Sequence, residues 1–341
     1  MERRTFLKIL SSAGIVSLVS PTFAMEVCKN KVSKSSSALL ESAFRNPPFS
    51  SGVYTWWHWM NGNITKDGIT RDLEAMKANG IAGYQLFEAG SGIPIGPVES
   101  LSDEWVDLIL HTLKESERLG LEFAMHNCPG WSSSGGPWIT PDKAMQIITW
   151  SETKITGGKQ VRIQLPTPKH MFDYYIDTYC LAIPANMKVI PRLSILELSN
   201  RLDKDGVLTW DVPTGEWLIM RFGQTAKDQK NKSAPSKSTG LDCDKFSTEA
   251  LDYHLNCMFK RLMPTMEKIA KHSKIGLLID SYETGDQDWT SDMPAYFEQS
   301  HGYELYPFLP VLANKIVESE ESTKRFLFDF RRVRADMFAR M

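Results

Sequence analysis

The stretch VYTWWHWMNGNITKDGITRDLEAMKANGIAGYQLFEA, residues 53–89, decides the fold. Its two ends are apolar runs of strand length, and the segment between them has a helical period. The stretch therefore predicts a strand at 53–60, a helix over 65–79 that Gly80 ends, and a strand at 81–89. The apolar face of the helix consists of Ile69, Leu73 and Met76.

A second helix and two further strands continue the alternation. Ser102 is placed to cap a helix that ends at Gly120. Apolar runs at 121–127 and 276–279 predict the third and fourth strands. Strands that alternate with helices predict an α/β fold with a parallel sheet, and polar residues at the strand ends favour the amino-terminal part of a (β/α)8 TIM-like barrel. The apolar stripe of the second helix is Trp105, Leu108, Ile109, Thr112, Leu113, Ser116 and Leu119.

The alternation breaks in the middle of the chain, where short strands with turn signals predict an inserted β-rich module. Half a barrel would expose sheet edges and an apolar face, so we expect a truncated barrel from a longer protein. Later helical patterns cover 248–272, 294–301 and 322–341. The predicted segments are a signal peptide (1–24), a linker (25–48), barrel units (49–145), the module (146–223), a polar connection (224–240) and the barrel continuation (241–341).

Composition and the amino terminus restrict the class of protein. The formal net charge of −2 gives no electrostatic basis for binding nucleic acid or an anionic membrane surface. The five Cys have spacings that fit no metal or disulfide motif. Residues 1–24 resemble a twin-arginine export signal around Arg3 and Arg4, and their apolar stretch is too short to span a bilayer. An ordinary secretory signal with a chance Arg pair is the alternative, and both predict export, in a bacterium to the periplasm.

Aromatic and polar side chains follow the predicted strands. Trp can stack on the apolar face of a sugar ring, while His, Asn and Gln can bond its hydroxyl groups. A carboxyl group buried among aromatic rings keeps its proton at neutral pH, as protonation of a glycosidic oxygen requires. The residues that we predict to contact substrate are His58, Asn61, His126, Asn127, Trp131, Gln287 and Trp289.

Each of these features has a structural alternative. A Trp at a strand end more often packs than stacks, and a Ser-Ser-Ser-Gly-Gly run such as 132–136 usually forms a turn. An acid at a strand end often caps a helix or forms an ion pair. The convergence of all these residues on the carboxyl ends of the strands favours a functional site.

Four stretches together resemble glycoside hydrolase family 106, the α-L-rhamnosidases, in order from about residue 45 to the last residue. The resemblance implies a (β/α)8 catalytic barrel, hydrolysis with inversion, and dependence on calcium. Glu283 of the DSYE motif matches the family's general acid, and the general base would lie beyond Met341. The calcium ligands are not placed, and Asp280 is the nearest hard-oxygen candidate. The four stretches are WWHWMNGNITKDGITRDLEAMKANGI (56–81), MHNCPGWSSSGGPWITPDKAMQ (125–146), GLDCDKFSTEALDYHL (240–255) and DSYETGDQDWT (280–290).

The resemblance implies hydrolysis of terminal α-L-rhamnosyl residues of polysaccharides or glycosides outside the cytoplasm. Glu283 would protonate the leaving oxygen, and Glu88 at the end of the second strand is the next candidate. Two alternatives stay open: a non-catalytic carbohydrate-binding protein with the same aromatic cleft, and an unrelated barrel hydrolase for another sugar. The reading frame downstream of Met341 would distinguish the binding protein from a truncated enzyme. A panel of chromogenic glycosides would distinguish the unrelated hydrolase from a rhamnosidase.

Overall fold

A computed structural model describes residues 34–271, 275–279, 281 and 287–340. The chain divides into two compact units, each assembled from three separate stretches. The first unit takes the described residues of Met1–Pro137, Asn231–Gly240 and His254–Tyr282. The second takes those of Trp138–Lys230, Leu241–Tyr253 and Glu283–Met341.

The α-helices and strands alternate early in the chain and become strand-rich in its middle. In chain order they are α1 Lys34–Arg45, β1 Val53–Met60, α2 Lys66–Ala78, β2 Ile81–Ala89, α3 Asp103–Leu119, β3 Glu122–His126, β4 Gln146–Thr156, β5 Lys159–Gln164, β6 Ile176–Pro184, β7 Val189–Ile190, β8 Leu196–Glu197, β9 Val207–Val212, β10 Glu216–Ala226, α4 Thr248–Phe259, α5 Met263–Ile269, β11 Ile275–Leu278, α6 Met293–His301, α7 Leu309–Leu312, β12 Ile316–Val317 and α8 Glu320–Ala339.

The first unit is built on a parallel sheet with the strand order β1-β2-β3-β11. The predicted strands at 53–60 and 81–89 are confirmed to the residue. Both predicted helix starts are also confirmed, because Thr65 Oγ1 accepts from the Gly68 N–H and Ser102 Oγ accepts from the Trp105 N–H. Gly120 ends α3 in the left-handed conformation, with φ of 65°.

Helix α3 packs on one face of this sheet. Tyr84 on β2 reaches Ser116 on α3 with a hydroxyl–hydroxyl distance of 2.5 Å, and both side chains are buried. Leu108, Ile109 and Leu113 are buried on the same helix, as the predicted stripe requires. This contact identifies the face of the sheet that α3 covers. Along β2, side chains an even number of positions from Tyr84 point to this face, and those an odd number of positions away point to the other face.

The described sheet of the first unit has four strands and does not close into a barrel. Strands β1 and β11 are its two edges. The structure therefore establishes a mixed α/β architecture with a parallel sheet. The complete (β/α)8 barrel stays a prediction for a longer chain.

The second unit is rich in antiparallel strands. Its main sheet has the order β4-β10-β6-β8, and β5 pairs with β9. Helices α6 and α8 contribute to the same hydrophobic core as these strands, because Phe297 and Phe326 cluster with Leu181 and Phe222. Strand β12 also pairs in parallel with β7. The β-rich region therefore extends beyond the predicted 146–223.

Several predicted boundaries differ from the structure. Residues after 283, expected to continue the barrel, belong to the second unit because their apolar side chains fill its core. The helix expected over 248–272 is two helices, α4 and α5, and Pro264 lies in the first turn of α5, where no N–H is needed. The expected linker contains α1, whose Arg45 pairs with Glu41. Among the described helices, none combines the length and apolar character of a membrane span.

Candidate active site

The predicted site residues of the first unit lie where its parallel strands have their carboxyl ends, which we call the carboxyl edge of the sheet. Because β1, β2 and β3 run parallel, their carboxyl ends lie at the same edge. Asn61 follows β1, His126 ends β3, and Asn127 follows it. A parallel bridge between Ser132 and Ser281 sets the chain after β11 beside the loop after β3. The structure therefore brings together residues from separate predicted strand ends.

His58, Phe87 and His126 form a stack of three rings across β1, β2 and β3. The ring centroids are 5.5 Å apart between His58 and Phe87, and 4.7 Å apart between Phe87 and His126. His126 is buried, and its Nδ1 lies 2.6 Å from the Cys128 carbonyl oxygen. Since a carbonyl oxygen only accepts, Nδ1 carries the proton and Nε2 of neutral His126 is an acceptor. His58 is exposed at the other end of the stack.

Two Asn side chains at this edge are fixed by backbone carbonyl groups. Asn61 has a left-handed backbone with φ of 49°, and its Nδ2 donates to the Ile93 oxygen at 2.7 Å. Asn127 Nδ2 donates to the Ser133 oxygen at 2.6 Å, and the Asn127 backbone oxygen accepts from His254 Nε2 at 3.0 Å. Both side chains are buried, and in the described part of the chain Asn127 Oδ1 accepts no hydrogen bond.

Trp131 is accessible in the loop after β3, with 36% of its surface exposed. Cys128 Sγ donates to the Ser132 carbonyl oxygen at 2.8 Å, which closes the loop around Trp131. Of the five predicted contacts in the first unit, the structure leaves His58 and Trp131 accessible and buries the other three. Direct contact with a sugar stays a prediction for the accessible pair, and the burial of Asn61, His126 and Asn127 favours a supporting role for them.

Glu88 lies at the same edge but on the helix-covered face of the sheet. Phe87 is the middle ring of the His58–Phe87–His126 stack. The next side chain along a strand points to the opposite face of the sheet, so Glu88 points away from the stack. The Glu88 carboxylate is buried and accepts from Ser100 Oγ at 2.7 Å, in the segment that leads into α3. Burial raises the pKa of Glu88 to about 7, and the Ser100 bond offsets only part of this increase. Glu88 therefore does not fit the role of second-choice acid that we predicted for it.

Gln287 and Trp289, predicted as substrate contacts, lie in the interior of the second unit. Trp289 has no exposed surface, and its Nε1 donates to Gln224 Oε1 at 3.2 Å. Gln287 Nε2 donates to Asp244 Oδ1 at 2.5 Å, and Gln287 Oε1 accepts from the Lys245 N–H at 3.1 Å. In this structure both side chains are packing residues, because neither presents a surface to a sugar.

Asp244 is the centre of this interior network and was not singled out from the sequence. Its carboxylate also accepts from Thr290 Oγ1 at 2.7 Å and from the Phe246 N–H at 2.8 Å. Burial raises the pKa of Asp244 to about 6. The network joins two of the motifs that carry the family resemblance, 240–255 and 280–290. Their separation in the sequence gives no signal that they meet.

Replacing Thr290 by Val is expected to destabilise the second unit by about 2 kcal/mol, since a buried hydrogen bond to an ionisable acceptor is lost while the shape is kept. Hydrogen exchange in α6 and β10 measures the change. Thr156→Val is the matched control, because Thr156 Oγ1 donates to Glu216 at an exposed position. Equal losses in the two variants would contradict the role given to burial.

The calcium site that the family resemblance implies stays a prediction. Calcium takes about 6–8 oxygen ligands. In the described ranges, no group of three or more His, Cys, Asp or Glu side chains is arranged to hold a metal ion. Asp244 is committed to hydrogen bonds, and Asp242 pairs with Lys245 Nζ at 2.8 Å. Asp280 and the predicted acid Glu283 lie outside the described residues.

Comparison with known proteins gives three similarities. A family model described as alpha-L-rhamnosidase, glycoside hydrolase family 106, matches residues 45–178 and 168–341. A Formosa agariphila protein named "Putative beta-glucuronidase" is 41% identical over 332 residues, which cover 88% of this chain and 28% of that protein. A rhamnosidase from Novosphingobium sp. PP1Y has a similar fold, with a TM-score of 0.80.

The structural similarity shows the fold alone, because the identity is 24%. It covers 88% of this chain and 45% of the rhamnosidase chain, so this chain spans less than half of either relative. The family match extends over most of the sequence and includes the four stretches quoted above. This chain belongs to glycoside hydrolase family 106.

Proposed function

We propose that this chain is part of an α-L-rhamnosidase that releases terminal α-L-rhamnosyl residues from polysaccharides or glycosides with inversion. The observation that carries the proposal is the sheet edge where His126 and the Trp131 loop lie beside Ser281 of the DSYE motif. Family membership supports glycoside hydrolysis, and the family description supports rhamnose as the sugar.

In this proposal Glu283 is the general acid. It donates a proton to the glycosidic oxygen as the bond to the anomeric carbon breaks. A carboxylate that we expect downstream of residue 341 activates water on the opposite face of the sugar. Trp131 stacks on the sugar and His58 bonds a hydroxyl group, while the Phe87–His126 stack holds His58 in place.

The test compares 4-nitrophenyl α-L-rhamnoside with 4-nitrophenyl β-D-glucuronide as substrates for the protein at its natural length. We expect turnover of the rhamnoside, with the inverted anomer as the first product in an NMR time course. A β-glucuronidase is the second candidate, favoured by the name of the 41% identical relative. Turnover of the glucuronide alone would replace our proposal, and rhamnose binding without turnover would favour a non-catalytic protein.

We also propose export through the twin-arginine pathway, on the basis of Arg3 and Arg4, which lie outside the described residues. Replacing both by Lys is expected to abolish delivery to the periplasm, because the pathway recognises the Arg pair. Cell fractionation measures the distribution, and Lys8→Arg is a control that leaves the pair intact. Undiminished delivery of the double variant would point to ordinary secretion.

A further inference from the structure

The segment Asn231–Gly240, which we call the strap, runs beside the loops that follow β2 and β3. It belongs to the first unit, as those loops do. The Ser233 carbonyl oxygen accepts from the Gly90 N–H at 2.7 Å. The Lys232 carbonyl oxygen accepts from the Trp131 N–H at 3.2 Å, and the Lys232 N–H donates to Ser132 Oγ at 2.9 Å. The strap is part of the polar connection predicted at 224–240. It is hydrogen-bonded to the two loops that carry the predicted sugar site.

Asn231 joins the strap to the Trp131 loop. Its side chain is 2% exposed. Nδ2 donates to the Pro129 oxygen at 2.9 Å and to the Ser238 oxygen at 3.0 Å, and Oδ1 accepts from the Gly240 N–H at 2.8 Å. Both amide protons are thus used, and no other side chain of this size supplies two donors and an acceptor in this geometry. Asn231-Lys232-Ser233 matches the Asn-X-Ser acceptor pattern for glycosylation, but the Asn231 amide is buried and hydrogen-bonded and is therefore not accessible for it.

The strap and the Trp131 loop approach each other without room for a further atom. Gly130 has φ of 77°, and a Cβ there would overlap the Lys232 carbonyl oxygen. A Cβ at Gly240 would overlap the Gly136 carbonyl oxygen. The position of the strap therefore fixes the backbone at both ends of the loop. It thereby also fixes the orientation of the exposed Trp131 side chain.

We propose that Asn231 is a positioning residue for sugar binding, acting through Trp131. The proposal rests on the function proposed above, since it takes Trp131 as the surface on which the sugar stacks. The hydrogen bond from Asn231 to Pro129 fixes the turn immediately before Trp131. The bonds from Asn231 to Ser238 and Gly240 keep the strap folded against that turn. Loss of these bonds displaces the indole and weakens substrate binding, while the reacting groups stay in place.

The principal variant is Asn231→Asp in the protein at its natural length. Asp keeps the size and one acceptor but loses both donors, so two buried carbonyl oxygens face a carboxylate. We expect KM for the rhamnoside to rise about tenfold or more, with kcat changed far less. Asn79→Asp is the matched control, because Asn79 Nδ2 donates to the Ala75 oxygen at 2.8 Å at the exposed end of α2. It is expected to leave both constants as in the wild type.

Two further measurements separate positioning from general stability. In a Trp131→Ala background, Asn231→Asp is expected to raise KM no further, because residues that act through one contact are not additive. Hydrogen exchange of the peptide 128–136 is expected to accelerate in Asn231→Asp and not in Asn79→Asp. Ser132→Ala removes the acceptor for the Lys232 N–H. It should raise KM and accelerate exchange of 128–136, both by less than Asn231→Asp does.

The proposal is overturned if Asn231→Asp, or Ser132→Ala should the former not fold, leaves KM and exchange of 128–136 as in the wild type. Independent, multiplicative effects of Asn231→Asp and Trp131→Ala on KM would also overturn it. If the wild type turns over no rhamnoside, the proposed function fails on its own. The exchange measurement then still decides whether the strap holds the loop.

Discussion

Replacing Glu283 by Gln is expected to slow hydrolysis of a rhamnosyl disaccharide by about 10²–10⁴-fold, because the amide keeps the shape but has no proton to donate. The loss should be much smaller for an activated aryl rhamnoside, whose leaving oxygen needs little protonation. The basic limb of the pH–rate profile should also flatten, since that limb reports the acid losing its proton. Steady-state kinetics on both substrates, with the protein at its natural length, measure the difference.

Glu88→Gln is the matched control for this experiment. It makes the same chemical change at the carboxyl end of β2, on the face covered by α3. Any loss of rate should therefore be equal for good and poor leaving groups. Asp280→Asn is likewise expected to affect both substrates equally if Asp280 only organises the site or binds calcium. Equal losses for both substrates in Glu283→Gln would mean that another group is the acid.

Glu88→Gln is also expected to change how the stability of the first unit depends on pH. Burial raises the pKa of Glu88 from its ordinary value of 4.5 to about 7 in the folded protein. Between these values the folded state holds a proton that the unfolded chain has lost. Stability therefore falls as the pH rises from about 4.5 to about 7, and the loss persists above that range. It corresponds to about 3 kcal/mol.

Hydrogen exchange of the β2 amides at pH 5 and pH 8, corrected for intrinsic exchange rates, measures this effect. Because Gln does not ionise, the first unit of Glu88→Gln should exceed the wild type in stability at pH 8 and lack its decline with pH. Ser100→Ala tests the opposite direction: it removes the hydrogen bond that favours the ionised carboxylate, so the total loss of stability between pH 5 and pH 8 should become larger. Equal wild-type stability at both pH values would rule out the raised pKa.

Local signals in the sequence were sufficient for the boundaries of α2 and α3 in the first unit. Thr65 and Ser102 bond the first turns of their helices, and Gly120 ends α3, so the boundaries of these helices could be predicted. The faces of the strands were harder to assign. Alternation separates Phe87 from Glu88, but the covered face is defined only by the packing of α3 on Tyr84.

Long-range pairing could not be predicted in the second unit. Nothing local indicates that β12 pairs with β7 or that Asp244 binds Gln287, because each pair joins segments far apart in the chain. Such contacts placed the residues after 283 with the β-rich unit and buried Trp289. They also explain why a strand-end Trp, interpreted as a sugar contact, is a core residue.

The order of the strands in the chain has a consequence for biosynthesis. Strand β3 pairs with β11, but the stretch Trp138–Lys230 of the second unit is translated between them. One side of β3 consequently stays unpaired on the ribosome until β11 emerges, and an unpaired strand is prone to associate with other nascent chains. Early chaperone contact should therefore raise the fraction of chains with a correctly folded first unit more than the fraction with a correctly folded second unit.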